Sequence, residues 1–141
     1  MNRTANELKL RDLHFFNETG LDLGDASAGA YGSAHDVAKL LAYITKEAPE
    51  ILEATRYDSM EFTSLENLPH VATNTNIIAR LIPGLIGSKT GFTDLAGGNL
   101  AITFDAGLGY PIVVVVLGST IDDRFTDTEA LVWASLEALA E

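Results

Sequence analysis

The chain has 141 residues, of which 47% are hydrophobic and 21% are charged, a composition typical of a globular domain and not of a disordered segment. It contains nine basic and twenty acidic residues, for a net charge of −11, which argues against a nucleic-acid partner because phosphate backbones require clustered Lys and Arg. The chain has no cysteine, so disulfides, thiol catalysis and Cys-based zinc sites are excluded.

The first third of the chain is predicted to contain a helix and a long loop. Met1, Ala5 and Leu8 recur at helical spacing with no capping residue before them, so we expect the chain to open inside a helix. This spacing is a first indication of truncation. Residues 17–32 are rich in Gly, Asp, Ala and Ser without periodicity, which predicts a surface loop.

A second helix is predicted over residues 33–46. Ser33 is a favourable N-cap, and Asp36 completes a capping-box pattern. The apolar residues expected to face the core are Val37, Leu40, Leu41 and Ile44. A shorter helical piece is predicted over 49–55 and a short strand over 59–64, whereas the prolines and asparagines of 67–83 predict mostly loop.

Three strands and a helix are predicted in the last third. The strands cover residues 85–90, 99–104 and 110–117, and their short glycine-bearing connections favour antiparallel pairing, because a parallel crossover needs about a dozen residues or more. Thr126, with Glu129 three residues later, predicts the start of the closing helix. The residues expected on its apolar side are Val132, Trp133, Leu136 and Leu139.

The stretch Ser88-Lys89-Thr90-Gly91, at the end of a predicted strand, carries the clearest chemical signal. A phosphate-binding loop would need Gly at positions 88 and 83, which are Ser88 and Pro83, so nucleotide binding is rejected. The stretch fits the Lys-Thr-Gly signature of penicillin-binding proteins and serine β-lactamases. Such a strand offers an ammonium, a hydroxyl and an unobstructed backbone to a ligand carboxylate.

The segments around this stretch resemble the serine-type D-alanyl-D-alanine carboxypeptidases, the low-molecular-weight penicillin-binding proteins of peptidase family S11. The resemblance runs from Met1 to about Trp133 and rests on matching segments in order and spacing: Leu13-His14-Phe15, Gly20-Leu21-Asp22, Ser33-Ala34-His35-Asp36, Asn74-Thr75-Asn76, residues 86–93, Gly98-Asn99-Leu100 and residues 113–118. It implies an α/β (α+β) chain with part of the β-lactamase/transpeptidase-like fold: an antiparallel sheet of about three strands with flanking helices. Residues 1–141 would be the C-terminal portion of one catalytic domain.

The resemblance also implies roles for individual residues. Lys89, Thr90 and Gly91 would bind the carboxylate of a D-Ala-D-Ala peptide or a β-lactam, and the backbone N–H of Phe92 would be one oxyanion donor. Arg124 would be a further carboxylate partner, with a solvated residue before the last helix as the equally weighted alternative. No cofactor and no metal are expected. A cation site around Asp22, Asp25, His35 and Asp36 is disfavoured, because loop carboxylates are usually solvated.

The family also needs a Ser-x-x-Lys nucleophile motif and a Ser-x-Asn motif. None of the serines in this chain is followed by Lys at the third position or by Asn at the second. The chain is therefore expected to be inactive alone, as part of a carboxypeptidase acting on peptidoglycan stem peptides. The alternatives are a non-catalytic ligand-binding or complementing module of the same fold, and a serine β-lactamase piece, which fits the flanking segments less well.

Truncation leads to two further expectations. The uncharged, β-branched strand 112–117 would become a sheet edge, free to pair with a second copy of the chain or with a missing N-terminal half. The N-terminus has no secretion-signal pattern, and the longest apolar run is too short to cross a membrane, so the sequence by itself suggests a cytosolic protein. The family implies a periplasmic or other extracytoplasmic location instead.

Overall fold

The computed structural model describes residues 1–107 and 109–140. The helices are Asn2–Glu7 (α1), Ala34–Glu47 (α2) and Asp123–Ala140 (α3), with 3₁₀ turns at Pro49–Ile51, Glu53–Arg56 and Ala79–Leu81. The strands are His14–Phe15 (β1), Ala30–Tyr31 (β2), Ser59–Thr63 (β3), Pro69–Thr73 (β4), Leu85–Thr93 (β5), Gly97–Asp105 (β6) and Pro111–Ser119 (β7). The predicted mixed α/β architecture, with an antiparallel sheet and flanking helices, is confirmed.

The main sheet has the order β5-β6-β7, and both neighbouring pairs are antiparallel. β6 is the central strand: Ile102 is paired with Ser88 on one side and with Val114 on the other. β1 pairs with β2 and β3 pairs with β4 in two smaller antiparallel sheets. Among the described residues no strand pairs with the outer edge of β7, so the predicted sheet edge over 112–117 is present.

The two faces of the main sheet bury different residues of β6, because successive side chains of a strand point to opposite sides. On one face Leu100, Ile102 and Phe104 pack in one core with Phe125 and Val132 of α3. The other face holds a second, smaller core, whose members are Ala101, Leu41 and Leu52, with Val37, Ile44, Val113 and Val115 packed against it. The sheet therefore lies between α2 and α3.

The N-terminal end of α2 confirms one half of the predicted capping box. Ser33 is the N-cap, and its hydroxyl accepts a hydrogen bond of 3.2 Å from the backbone N–H of Asp36. The carboxylate of Asp36 is instead buried and accepts the backbone N–H of Asp12 at 2.8 Å. This side chain therefore fixes the preceding segment to the helix.

One strand was missed and one predicted boundary is wrong. Within the predicted loop of residues 67–83, β4 covers Pro69–Thr73 and pairs with β3 from Thr63↔Pro69 to Ser59↔Thr73, while most of the rest of that segment lies outside regular strands and helices. A strand that begins with Pro is compatible with the end of a two-stranded hairpin, where no further strand requires its N–H. The closing helix begins at Asp123 and not after Thr126, since the hydroxyl of Thr120 accepts the Asp123 N–H at 2.9 Å.

The side of α3 that faces the core is narrower than predicted. Val132 is fully buried and Leu136 is partly buried, as predicted. Trp133 and Leu139 were expected on the same side, but they are 48% and 53% exposed. Within the described part of the chain, none of the helices combines the length and the apolar character required to span a bilayer.

Candidate functional site

The Lys-Thr-Gly segment lies on β5, the edge strand opposite β7. The backbone N–H of Ser88 donates to the hydroxyl of Thr55 at 2.9 Å and so points away from β6. In an antiparallel pair, residues alternate between pointing their N–H toward and away from the neighbouring strand. The register is regular from Gly87 to Thr93, so Thr90 and Phe92 also point their N–H groups away from β6, along the open edge.

A 3₁₀ turn supports the beginning of this segment. The Thr55 hydroxyl that accepts from Ser88 donates to the carbonyl of Leu52 at 2.6 Å, so it bridges the turn and the strand. The approach is close: a side-chain Cβ at Gly87 would lie 2.6 Å from the Cβ of Leu52. β5 is therefore fixed in place just before Lys89.

The loop Asn74-Thr75-Asn76 supports Thr90, the residue that follows Lys89 on β5. The amide of Asn74 donates to the carbonyls of Thr55 and Tyr57 at 3.0 and 2.9 Å, and its side-chain oxygen accepts the Asn76 N–H at 2.9 Å. This arrangement places Thr75 beside β5, where its hydroxyl lies 2.6 Å from that of Thr90. The Asn74-Thr75-Asn76 stretch, noted in the sequence only as part of a resemblance, thus has a structural role at the strand.

Lys89 is exposed, and its ammonium donates to the backbone carbonyl of Thr90. No carboxylate of residues 1–107 and 109–140 lies within 4 Å of it. The Lys89 charge is thus available to an anion at the edge of β5. Gly91 leaves the neighbouring surface open, since the nearest atom to a Cβ built there is 3.8 Å away, on Asn99.

Arg124 reaches the same segment from α3. Arg124 is only 9% exposed, and its Nη1 donates a hydrogen bond to the carbonyl of Gly91 at 2.8 Å. The guanidinium carbon lies 4.6 Å from the centre of the Phe125 ring, within the range of a cation–π contact. The alternative of a solvated residue before the last helix is therefore wrong: Arg124 lies in the first turn of α3 and is buried against the site.

An apolar groove of about 390 Å³ begins at the Lys-Thr-Gly segment and continues between β5 and α2. The α2 side of the groove is formed by Val37, Leu40, Leu41 and Ile44. Lys89 and Thr90 contribute the polar groups at the other end. The site thus combines a cation, a hydroxyl and outward backbone N–H groups with an apolar wall.

Three of the four residues considered for a cation site, Asp22, His35 and Asp36, have side-chain contacts of other kinds. The Asp22 carboxylate accepts a hydrogen bond from the Leu95 N–H at 3.3 Å, and the Asp36 carboxylate accepts one from the backbone N–H of Asp12. Nδ1 of His35 lies 3.4 Å from Oδ1 of Asp36. The described residues contain no group of three or more His, Cys, Asp or Glu side chains arranged around a common point.

Thr55 is the supporting residue that the sequence did not reveal. It lies 33 positions before Ser88, in a segment predicted only as a helical piece, and no local pattern connects the two. A threonine next to a helical turn is common, so it carries no signal without the tertiary contact.

Comparison with known proteins gives a consistent result. A sequence model of the D-alanyl-D-alanine carboxypeptidases, peptidase family S11, matches residues 1–120. The D-alanyl-D-alanine carboxypeptidase DacF of Bacillus subtilis is 33% identical over 125 residues, which are 88% of this chain and 31% of DacF. The D-alanyl-D-alanine carboxypeptidase DacA of Escherichia coli K12 is 30% identical over 131 residues, 93% of this chain and 30% of DacA.

A solved structure agrees with these matches. Penicillin-binding protein D2 of Listeria monocytogenes, in its cefotaxime-bound form, superimposes with a TM-score of 0.75 and 32% identity, over 92% of this chain and 51% of that chain. The same protein has been solved in an ampicillin-bound form. The chain spans less than a third of the length of the two curated relatives, at 31% and 30%.

Proposed function

The chain belongs to the D-alanyl-D-alanine carboxypeptidase family, and on that premise we propose that it is the carboxylate-recognition portion of a serine-type enzyme acting on peptidoglycan stem peptides. The observation that carries the proposal is the open edge of β5, where Lys89 has no carboxylate partner among the described residues. The terminal carboxylate of a D-Ala-D-Ala peptide would accept hydrogen bonds from Lys89 and Thr90. Charge-assisted bonds of this kind are about twice as strong as neutral ones.

The backbone of the peptide would lie along β5. The outward N–H of Thr90 and the open surface at Gly91 favour an extended ligand that adds to the sheet edge. The N–H of Phe92 would then donate to the oxyanion that forms when the peptide carbonyl is attacked. Such a donor is effective because it is fixed before the reaction begins.

Arg124 fits the proposal as a second cation at the same strand. Its Nη1 is used by Gly91, its Nε is buried without a partner, and no acidic side chain of the described residues lies within 4 Å. A buried charge without a counter-ion is costly, so an anion that enters the site would be favoured there. We assign Arg124 to the electrostatic recognition of the ligand carboxylate.

The complete reaction would form an acyl-enzyme, release D-alanine and then hydrolyse the ester. The sequence has no Ser-x-x-Lys motif, so the covalent route has no nucleophile within these 141 residues. We propose that the chain alone binds the ligand without turnover. A fluorescent penicillin separates this proposal from an active enzyme, because covalent labelling of the chain by the penicillin would contradict it.

Ligand binding provides the central test. When an N-acylated D-Ala-D-Ala peptide is titrated into the ¹⁵N-labelled chain, we expect the amide resonances of β5 to shift. Lys89→Ala should remove most of this peptide binding. Lys46→Ala is a matched control, since Lys46 is an exposed lysine paired with Glu47 at the end of α2 and does not line the groove beside β5. The C-terminal amide of the same peptide should bind weakly. Equal binding of the acid and the amide would contradict carboxylate recognition.

The same site would accept the carboxylate of a β-lactam, as a noncovalent ligand of this chain. The supporting finding is the likeness to penicillin-binding protein D2, whose structures carry cefotaxime and ampicillin. Because stem peptides lie outside the cytoplasmic membrane, we propose an extracytoplasmic location. Cell fractionation with an antibody against the chain tests this location.

We also propose that the chain on its own self-associates through the outer edge of β7. The strand carries no charged residue and contains four consecutive valines, and both of its faces are packed against helices. Its unpaired backbone groups are therefore the part of the strand that a second copy would satisfy.

A further inference from the structure

The hydrogen bond between Arg124 and Gly91 joins a buried cation to the peptide group that follows the Lys-Thr-Gly segment. Gly91 C=O and Phe92 N–H belong to the same peptide unit, which is planar, so the direction of one sets the direction of the other. Arg124 Nη1 donates to that carbonyl at 2.8 Å. The N–H at the opposite end points away from β6, along the open edge of β5.

Arg124 occupies an unfavourable place for a cation. It is the second residue of α3, at the helix end where the backbone dipole favours negative charge. It is also 9% exposed, and among the described side chains none provides an acidic partner within 4 Å. The contacts that hold it are the Gly91 carbonyl and the face of the Phe125 ring.

We propose that Arg124 is a positioning residue for the Phe92 N–H, in addition to attracting the ligand carboxylate. A charged donor on the Gly91 carbonyl withdraws electron density through the peptide unit and makes the Phe92 N–H a stronger donor, because linked hydrogen bonds polarise one another. It also stops the peptide unit from rotating. This inference rests on the proposed function, in which that N–H faces the developing oxyanion.

The polarisation is measurable in the ligand-free chain, which separates it from ligand recognition. In isotope-labelled protein, we expect a through-hydrogen-bond coupling between Arg124 Nη and the Gly91 carbonyl carbon. Arg124→Gln should remove this coupling, move the Gly91 carbonyl resonance upfield and move the Phe92 amide proton upfield. Arg80→Lys is the matched control, because Arg80 is an exposed arginine paired with Asp58 and should leave both resonances unchanged.

A second variant retains Arg124 in case its replacement prevents folding. Phe125→Leu removes the ring beneath the guanidinium and should shift the Gly91 and Phe92 resonances in the same direction by a smaller amount. Unchanged Gly91 and Phe92 resonances in a folded Arg124 variant, with peptide binding reduced, would overturn the positioning role and leave a carboxylate partner only. If Arg124→Gln shifts the Gly91 and Phe92 resonances but the original chain does not bind the peptide, the positioning role would be supported and the proposed function contradicted.

Discussion

The hydroxyl of Thr75 lies 2.6 Å from the hydroxyl of Thr90 in the Lys-Thr-Gly segment. A hydroxyl group has a single hydrogen to donate. When Thr75 donates to Thr90, the hydrogen of Thr90 remains free for a ligand carboxylate. Thr75 would therefore orient the Thr90 hydroxyl without touching the ligand.

Thr75→Val tests this relationship with a side chain of the same shape. We expect the affinity for an N-acylated D-Ala-D-Ala peptide to fall roughly 2- to 10-fold, the value of one net hydrogen bond. Thr75→Ser retains the hydroxyl and should bind like the original chain. Titration followed by amide resonances measures both, and equal affinities for the Val and Ser variants would show that Thr75 does not orient Thr90.

Thr55→Val removes the hydroxyl that joins the 3₁₀ turn to β5. The Ser88 N–H would lose its acceptor, and we expect a loss of about 1–3 kcal/mol in the free energy of unfolding, the usual cost of a buried unsatisfied donor. Urea denaturation measures the loss. Thr45→Val is the matched control, because the Thr45 hydroxyl donates only to the carbonyl of Leu41 within α2. Similar losses in both variants would contradict a special role for Thr55.

Gly98 and Gly91 lie on adjacent strands, and we expect substitution by alanine to affect stability at Gly98 and ligand binding at Gly91. A Cβ on Gly98 would overlap the carbonyl oxygen of Thr120, so Gly98→Ala should destabilise the fold by about 1–3 kcal/mol or more. Gly91→Ala meets no atom closer than 3.8 Å and should leave stability nearly unchanged. It should nevertheless weaken peptide binding, because the new methyl group would stand on the same face of β5 as Lys89 and fill surface that the ligand would cover. A Gly91→Ala variant with full affinity would contradict that ligand position.

Asp105 makes stability depend on pH in acid. Backbone N–H groups of Gly107, Tyr110 and Gly109 donate to its carboxylate and, with the Gly107 bond as the main cause, hold its pKa below the usual 3.8. A lowered folded-state pKa adds stability above the unfolded-state pKa, and this stability is lost as the pH falls through the folded value. We expect Tm to decrease as the pH is lowered below about 3.8. Asp105→Asn should make this decrease of Tm with pH smaller. Parallel Tm profiles for the two proteins would contradict this origin.

Val115→Pro tests self-association at the edge of β7. Ile102, which pairs with Val114, points its N–H away from β5, so the alternation directs the N–H groups of Val113 and Val115 outward. Proline at 115 removes an outward donor without removing a bond to β6. We expect concentration-dependent sedimentation in the original chain and a monomer in the variant. A monomeric original chain at high concentration would contradict the proposal.

Local pattern was sufficient to predict the sheet and most of the helices. Three segments bounded by glycine-bearing connections predicted β5, β6 and β7, the shortness of those connections predicted antiparallel pairing, and Ser33 marked the start of α2. These features depend on residues close together in the chain. The β3–β4 pairing was missed because the prolines and asparagines of 67–83 suggested loop, while the strand itself is exposed and has no buried face to produce a pattern.

The support of the site could not be predicted, because it depends on contacts between distant segments. Thr55 and Ser88 are 33 residues apart, and so are Gly91 and Arg124. The sequence placed Arg124 before a helix capped by Thr126, where exposure was a natural expectation. The helix begins four residues earlier, at Asp123, which places Arg124 in the first turn, where its guanidinium donates to the carbonyl of Gly91 on β5.

The simple order β5-β6-β7 also bears on how the chain folds. Both pairings join neighbouring segments through short connections, and α3 follows directly, so residues 85–140 can assemble through contacts that are close in sequence. α2 must close loops of more than forty residues to reach the same sheet, which makes its docking slower. We expect the α3 side of the sheet to be structured in the folding transition state and the α2 side to form afterwards, so that the groove beside Lys89 is completed last.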